Sequence, residues 1–308
     1  MKIIASNARQ VAGQARASFL ERYFPFALIL PSAVGTLALI IFPLLYSLYL
    51  SFTSFHLLKP HSNLWVGLRN YREIFQDPTF WTALKNSILF TLVVVNSELI
   101  LGLAIALLLS RAIGGQGFLR ALFMIPMMLP PVLVGLQFRW FFNDQFGLLN
   151  NILLTLGAMN RPIGWLVRPN LAMPSVMLAD IWQNTPFMVI VLLAGLFSLP
   201  IEPFEAATVD GANAWQRFRY LTFPMLQPLI LIALTIRSLD AGRRAFDLIL
   251  LMTGGGPANV TEVLGTYTFR RAIIDSQFAY GAAISYIDML ITMAFAIYLS
   301  RQLFKARG

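Results

Sequence analysis

The chain contains no cysteine, which excludes disulfides, thiolate metal sites and thiol chemistry. It has two histidines in 308 residues, His56 and His61, and no carboxylate cluster accompanies them. That leaves no metal centre and no spaced His, Asp and Glu set for an intramembrane enzyme. Charge is scarce as well: 12% of the residues are charged and 57% are hydrophobic. A soluble domain carries about 25% charged residues, so this composition calls for lipid as solvent. Acids are fewer than bases, 14 against 23, for a formal charge of +9. The arginines are scattered between apolar runs rather than set in a stripe with aromatics, which argues against a nucleic-acid partner. No Gly-x-x-x-x-Gly-Lys-Ser/Thr loop is present to cradle nucleotide phosphates, so no catalytic residue and no ATP site are expected in this chain. Gly114-Gly115-Gln116-Gly117 and Gly254-Gly255-Gly256 lack the lysine and read as turns.

What the chain does have is long apolar runs. Six of them reach the roughly 20 residues a helix needs to cross a bilayer. They run from Phe26 to Leu50, Asn86 to Leu109, Leu119 to Phe142, Leu171 to Leu199, Pro224 to about Met252, and about Gly281 to Leu303. Pro126, Pro130 and Pro131 predict kinks in the third. The expected fold is an all-α membrane protein with one six-helix domain over 26–304, an N-terminal segment 1–25 and a tail 305–308. The first apolar run is too long for a signal-peptide core and has no small-residue cleavage site just after it.

The most distinctive stretch is the polar interruption between the fourth and fifth spans, at 200–223. Glu202 and Pro203 suit the first turn of a short helix, where proline fits and acid complements the dipole. Gly211 ends it, and Asn213 with Gln216 has the spacing of a capping box opening a second helix. The result is a helix, a bend and a helix, with Trp215 and Phe218 available on its surface. In this stretch Glu205-Ala206-Ala207, three residues, Gly211, nine residues, then Leu221-Thr222-Phe223-Pro224 resembles the cytoplasmic coupling loop of ATP-binding-cassette importer permeases. Trp65-Val66-Gly67-Leu68-Arg69-Asn70-Tyr71 and Phe80 to Ser87 are similar to the outer loop and second span of the sugar-type permeases of that superfamily. Trp182-Gln183-Asn184-Thr185-Pro186-Phe187 resembles their fourth span, and Phe246 to Ile249 with Thr253-Gly254-Gly255-Gly256-Pro257 the segment after their fifth.

The resemblance implies a type I importer permease fold with cytoplasmic coupling helices, in the cytoplasmic (inner) membrane of a bacterium, both termini inside. It implies a second permease subunit forming a heterodimer, two ATPase subunits holding ATP and Mg, and an extracytoplasmic solute-binding protein, with a sugar or sugar derivative as cargo. Glu205, Ala206, Ala207, Asp210, Gly211, Trp215, Phe218 and Pro224 are the expected ATPase-coupling residues. Basic residues before the first span and after the sixth support this orientation only weakly. Asn259-Val260-Thr261 matches a glycosylation acceptor by letters, which a bacterial source discounts.

Charges at membrane depth are costly and tend to be functional. Arg237, Asp240, Arg244 and Asp247 recur at intervals of three or four on the fifth span, with Arg243 at the edge of that face. Asp240 can pair with Arg243 or Arg244, and Arg243 with Asp247. The face reads either as a buried ion-pair ladder that fixes helix packing or as part of a substrate path. The family's comparable stretch has one residue fewer between the positions like Asp240 and Asp247, and three arginines against two aspartates would suit an anionic sugar. Asn96, Glu98, Asp180, Ser285 and Asp288 read as helix-to-helix glue. Gln183, Asn184 and Tyr286 are candidates for sugar contact, since amides pair with hydroxyls and an aromatic face covers a sugar's apolar side. The alternative function is an ion-coupled secondary transporter without an ATPase, which predicts an internal repeat; none is visible.

Overall fold

The computed structural model describes residues 24, 26, 28–59, 63–111 and 115–305. The N-terminal segment, His61 and the last three residues lie outside these. Among the described residues the architecture is helical, with one isolated antiparallel bridge between Thr53 and Trp65.

Helix α1 is Leu28–Ser51, the first span. A short helix α2, Arg69–Gln76, leads into α3, Pro78–Leu109. The sequence places the start of this second span at Asn86, but the helix opens at Pro78. Proline fits the first turn, and Asp77 caps it by accepting the Thr79 amide at 2.8 Å. At 32 residues α3 is about 48 Å long, so its first turns stand clear of a ~30 Å hydrocarbon layer.

The third span is broken, not merely kinked: α4, Gln116–Met128, and α5, Pro131–Phe141, meet at 92°. Two consecutive prolines account for the break. Pro130 has no amide to give the ladder and forces Leu129 into extended backbone (ψ 136°), and Pro131 then starts the next helix. Pro126 is absorbed inside α4. After α6, Leu148–Thr155, the fourth span is α7, Pro169–Phe197, and the short α8, Glu202–Val209, follows.

The fifth span differs from its expected limits in an informative way. It forms one 39-residue helix with the second helix of the polar loop: α9, Ala214–Met252. Pro224 would leave a carbonyl of the preceding turn without its partner, and the chain accommodates this with a π turn at Phe218–Thr222 instead of a break. One continuous helix thus joins the loop to the charged residues around Arg237. Helix α10, Leu264–Phe269, and the last span α11, Phe278–Lys305, complete the chain.

The centre of the fold is α3 packed along α7, with α9 against both. Gly102 makes the approach possible, since a Cβ there would stand 2.5 Å from that of Met188. One buried apolar cluster gathers around Phe90, Val134, Val176 and Leu248, a second around Ala106, Met188, Leu192 and Leu226. A third, around Ile74, Phe80 and Ile284, joins α2 and α11 to the N-terminal end of α3. Helix α1 stands apart, with no buried residue in its apolar window, and touches α11 through Tyr286.

Candidate functional site

The polar loop folds as its residues dictate. Helix α8 carries Glu202 and Glu205 in its first turn. Gly211 takes the left-handed conformation (φ 79°), and the wrap is closed by the Gly211 amide on the Thr208 carbonyl (3.1 Å) and the Ala212 amide on Ala207 (2.8 Å). The capping box is present in both directions: Asn213 Oδ1 accepts the Gln216 amide at 2.9 Å, and Gln216 Oε1 accepts the Asn213 amide at 2.8 Å. Arg217 reaches back to the Thr208 hydroxyl at 2.8 Å, tying α9 to α8.

The knob is exposed on its far side. Glu205, Ala206, Asp210 and Gly211 are open to solvent, Ala207 is half-buried and Trp215 is 68% exposed. Phe218 is half-buried, its ring tilted against those of Trp215 and Phe223. Pro224 lies exposed just inside the span. Val209 and Tyr220, 88% and 73% exposed, add large apolar surface to the same knob, and sequence reasoning missed both. An apolar residue at a helix end carries no signal until the helix places it.

The second site lies where α3, α7 and α9 meet at membrane depth. Arg237, only 2% exposed, donates from Nε to Glu98 Oε2 (2.7 Å) and from Nη2 to Glu98 Oε1 (2.9 Å). It also donates to Asp180, and more weakly to Asp240 at 3.4 Å. Glu98 and Asp180 have no exposed surface. One planar guanidinium therefore holds three helices together, a geometry a lysine could not reproduce. Asn184 completes the knot, donating to the Asp180 carboxylate at 3.1 Å.

Asp240 continues the network outward by accepting from Arg243 (3.1 Å) and Arg244. The expected Arg243–Asp247 pair is not among the ion pairs of the described residues, because Arg243 turns back to Asp240. Glu98 and Asp180 also change the arithmetic of charge, since they offset the arginines and leave no surplus over the whole network. The sequence marks Glu98 and Asp180 as lone acids midway along two spans, and the structure supplies the arginine they meet.

The remaining candidates separate. Gln183 is fully buried and donates to the Leu129 carbonyl at 2.8 Å, the group left without a helical partner by the break in the third span; its Oε1 has no partner. The Tyr286 hydroxyl donates to the Leu44 carbonyl and sits 3.2 Å from Ser47 Oγ, docking α1 on α11. These two and Asn184 are engaged in holding helices. The accessible members are Arg243, with 78% of its side chain exposed, and the partly exposed Asp240, Arg244 and Asp247.

On the opposite side from the knob, Asn86 clasps the Val260 and Glu262 carbonyls at 3.0 and 2.9 Å and so fixes the glycine-rich turn after α9. Nearby, burial pushes the Asp77 carboxyl up, but the Tyr267 hydroxyl, Thr79 and Arg271 outweigh it and hold it below the usual range. No group of three or more metal-ligating side chains occurs among the described residues.

Comparison with known proteins gives a consistent result. The family model described as "Binding-protein-dependent transport system inner membrane component" matches residues 98–307. The trehalose/maltose transport system permease protein MalF of Thermococcus litoralis is 35% identical over 282 residues, 91% of this chain and 93% of that protein. The sulfoquinovosyl glycerol transport system permease protein SmoG of Agrobacterium fabrum is 35% identical over 280 residues, 91% of this chain and 90% of the relative. Among solved structures, a chain of a bacterial ABC transporter involved in import of the acidic polysaccharide alginate superposes with a TM-score of 0.81 at 21% identity, covering 94% of this chain and 98% of the other.

Proposed function

The chain belongs to the family of binding-protein-dependent transport system inner membrane components, and we propose that it is the permease subunit of an ATP-driven importer for a sugar or sugar derivative. The observation that carries this reading is the exposed helix–glycine–helix knob, continuous through α9 with the charged network at membrane depth. A partner ATPase holding ATP and Mg would seat the knob at 200–223, with Glu205, Ala206, Ala207, Asp210, Gly211, Trp215, Phe218 and Pro224 at or beside the contact. Closure of two such subunits on nucleotide would draw the knobs together and, through the continuous helix α9, reorient the spans; hydrolysis would reverse it. Coupling needs contacts that differ between the two states, which a docked knob provides. In this arrangement both termini are cytoplasmic, a second permease completes the pathway, and a solute-binding protein delivers cargo from the far side.

The decisive experiment is to tag the chain, extract it gently from its native membrane and count its companions by mass spectrometry. Recovery with a second permease and two copies of an ATPase is expected. Recovery alone, with uptake that survives ATP depletion, would replace the importer with an ion-coupled secondary transporter.

Within the pathway, Arg243 is the group we assign to substrate. An arginine at membrane depth is not left facing lipid, so one this exposed in the single chain faces a water-filled cavity or the second permease. Its guanidinium fits a carboxylate or sulfonate on a sugar, in keeping with the sulfoquinovosyl relative and with the acidic polysaccharide of the structural neighbour. Arg243→Gln should lower uptake of an anionic sugar about tenfold relative to its neutral analogue, the loss of ~1.4 kcal/mol that one charge-assisted hydrogen bond accounts for. Equal uptake of the two sugars before and after the change would remove the assignment.

A further inference from the structure

On the membrane surface that carries the knob, where α3 and α7 end and α4 begins, lies a groove of about 260 Å³. Its walls are Phe123 and Met124 of α4 and Val189, Ile190 and Leu193 of α7, with Pro186 at the deep end. The mouth is different in kind. There the Arg120 guanidinium lies over the Phe197 ring at 5.1 Å and reaches the last carbonyl of α3, Leu109, at 3.4 Å. The lining carries this one positive charge and no acid, and exposed Arg111 follows Leu109 by two residues.

Three features bear on what fills it. From Phe197 to Pro186 the groove follows α7 for three turns, about 16 Å, which is the thickness of one leaflet of a ~30 Å hydrocarbon layer. The charge sits at the surface end only, at the level of a headgroup, while everything deeper is apolar. Met124, Ile190 and Phe197 are partly open along its length, so a chain can enter sideways from the bilayer. We propose that this groove binds one acyl chain of an anionic phospholipid, with the lipid phosphate held at the mouth by Arg120. Basic pockets between spans at a membrane surface recognise anionic headgroups in this manner, and arginine grips phosphate in bidentate fashion. The lipid would bridge α4 to α7 beside the break in the third span and leave the charged network of α9 untouched. The inference rests on the chain spanning a membrane and not on the identity of the cargo.

The test uses the assembled transporter purified with its companions. Native mass spectrometry with added phosphatidylglycerol or phosphatidylcholine should show one phosphatidylglycerol retained per chain, at least tenfold more tightly than phosphatidylcholine. Arg120→Gln should erase that preference, and Ala194→Phe, which narrows the groove without touching its charge, should weaken both lipids. Because the chain has no cysteine, Ile190→Cys labelled with benzophenone reports the occupant directly, and a lipid adduct is expected. A wild-type chain that does not discriminate the lipids, or a label that reacts with the second permease, would overturn the proposal, the latter by showing that a protein helix covers the groove.

Discussion

Arg237→Met should leave almost no folded chain to extract. The change takes away the one cation that three buried or partly buried carboxylates share, and two of them, Glu98 and Asp180, have no surface through which water could compensate. Breaking a buried ion pair from one side costs about 3–5 kcal/mol. That is a large part of the ~5–15 kcal/mol by which a typical fold is stable. Arg237→Lys keeps the charge but offers a single point donor where the native group makes two parallel bonds to Glu98 and a third to Asp180, so an intermediate loss is expected. Removing the acids together with the base should restore the protein. In Arg237→Met combined with Glu98→Gln and Asp180→Asn no uncompensated charge remains, and a buried ion network replaced as a unit is often neutral for stability. The measurement is the yield of monodisperse chain after detergent extraction, followed through a heating series. Normal yield and melting of Arg237→Met would show that the knot does not hold the helices. If instead the triple variant folds but no longer transports, the knot serves the motion as well as the packing.

That knot marks the limit of what the sequence discloses. The apolar runs place five continuous spans and the apolar stretch of the bent third, because a lipid-facing helix must be apolar over a length set by the bilayer, and Gly211 punctuates the loop locally. The capping box of Asn213 and Gln216 is likewise legible, being a matter of residues three apart. Non-local pairing is not. Glu98, Asp180 and Arg237 lie on three different helices, and nothing in their spacing tells which acids an arginine will choose. Spacing along one helix suggested Asp240 with Arg243 or Arg244, a pairing that forms with both arginines, and Arg243 with Asp247, a pairing absent among the described residues because Arg243 turns back to Asp240. Gln183 shows the same limit, because its role depends on a carbonyl freed at Leu129 by a break whose angle the prolines alone do not specify. The continuity of α9 through Pro224 was hidden for a related reason: a π turn resolves the proline conflict without leaving a mark in composition.

The exposed knob supports the second large effect, and here the expectation is a loss of transport without a loss of protein. Gly211 adopts φ 79°, and beyond its chain neighbours no atom lies within 4 Å of where a Cβ would stand, so a Cβ at Gly211 has open space. The cost is wholly in the backbone. A left-handed residue with a side chain is about 1–2 kcal/mol less favourable, and a β-branched one is a genuine outlier there. The spans do not share that strain, since their buried clusters lie elsewhere in the chain. The turn relieves it by unwinding, which loosens the Ala212-to-Ala207 bond and the Arg217–Thr208 tie, the contacts that set the angle of α8 on α9. A knob at the wrong angle would still let the chain insert and the spans pack, but under the proposed coupling it would transmit little of a partner's movement. Uptake per molecule of Gly211→Val should therefore fall at least tenfold, with extraction and melting unchanged. Gly211→Asn should retain most of it, because asparagine tolerates the left-handed region. The comparison separates conformation from bulk, as both side chains have the same open space to occupy. Equal losses in the two variants would assign the effect to a surface that the partner needs bare, and full uptake in Gly211→Val would remove the turn from the coupling path.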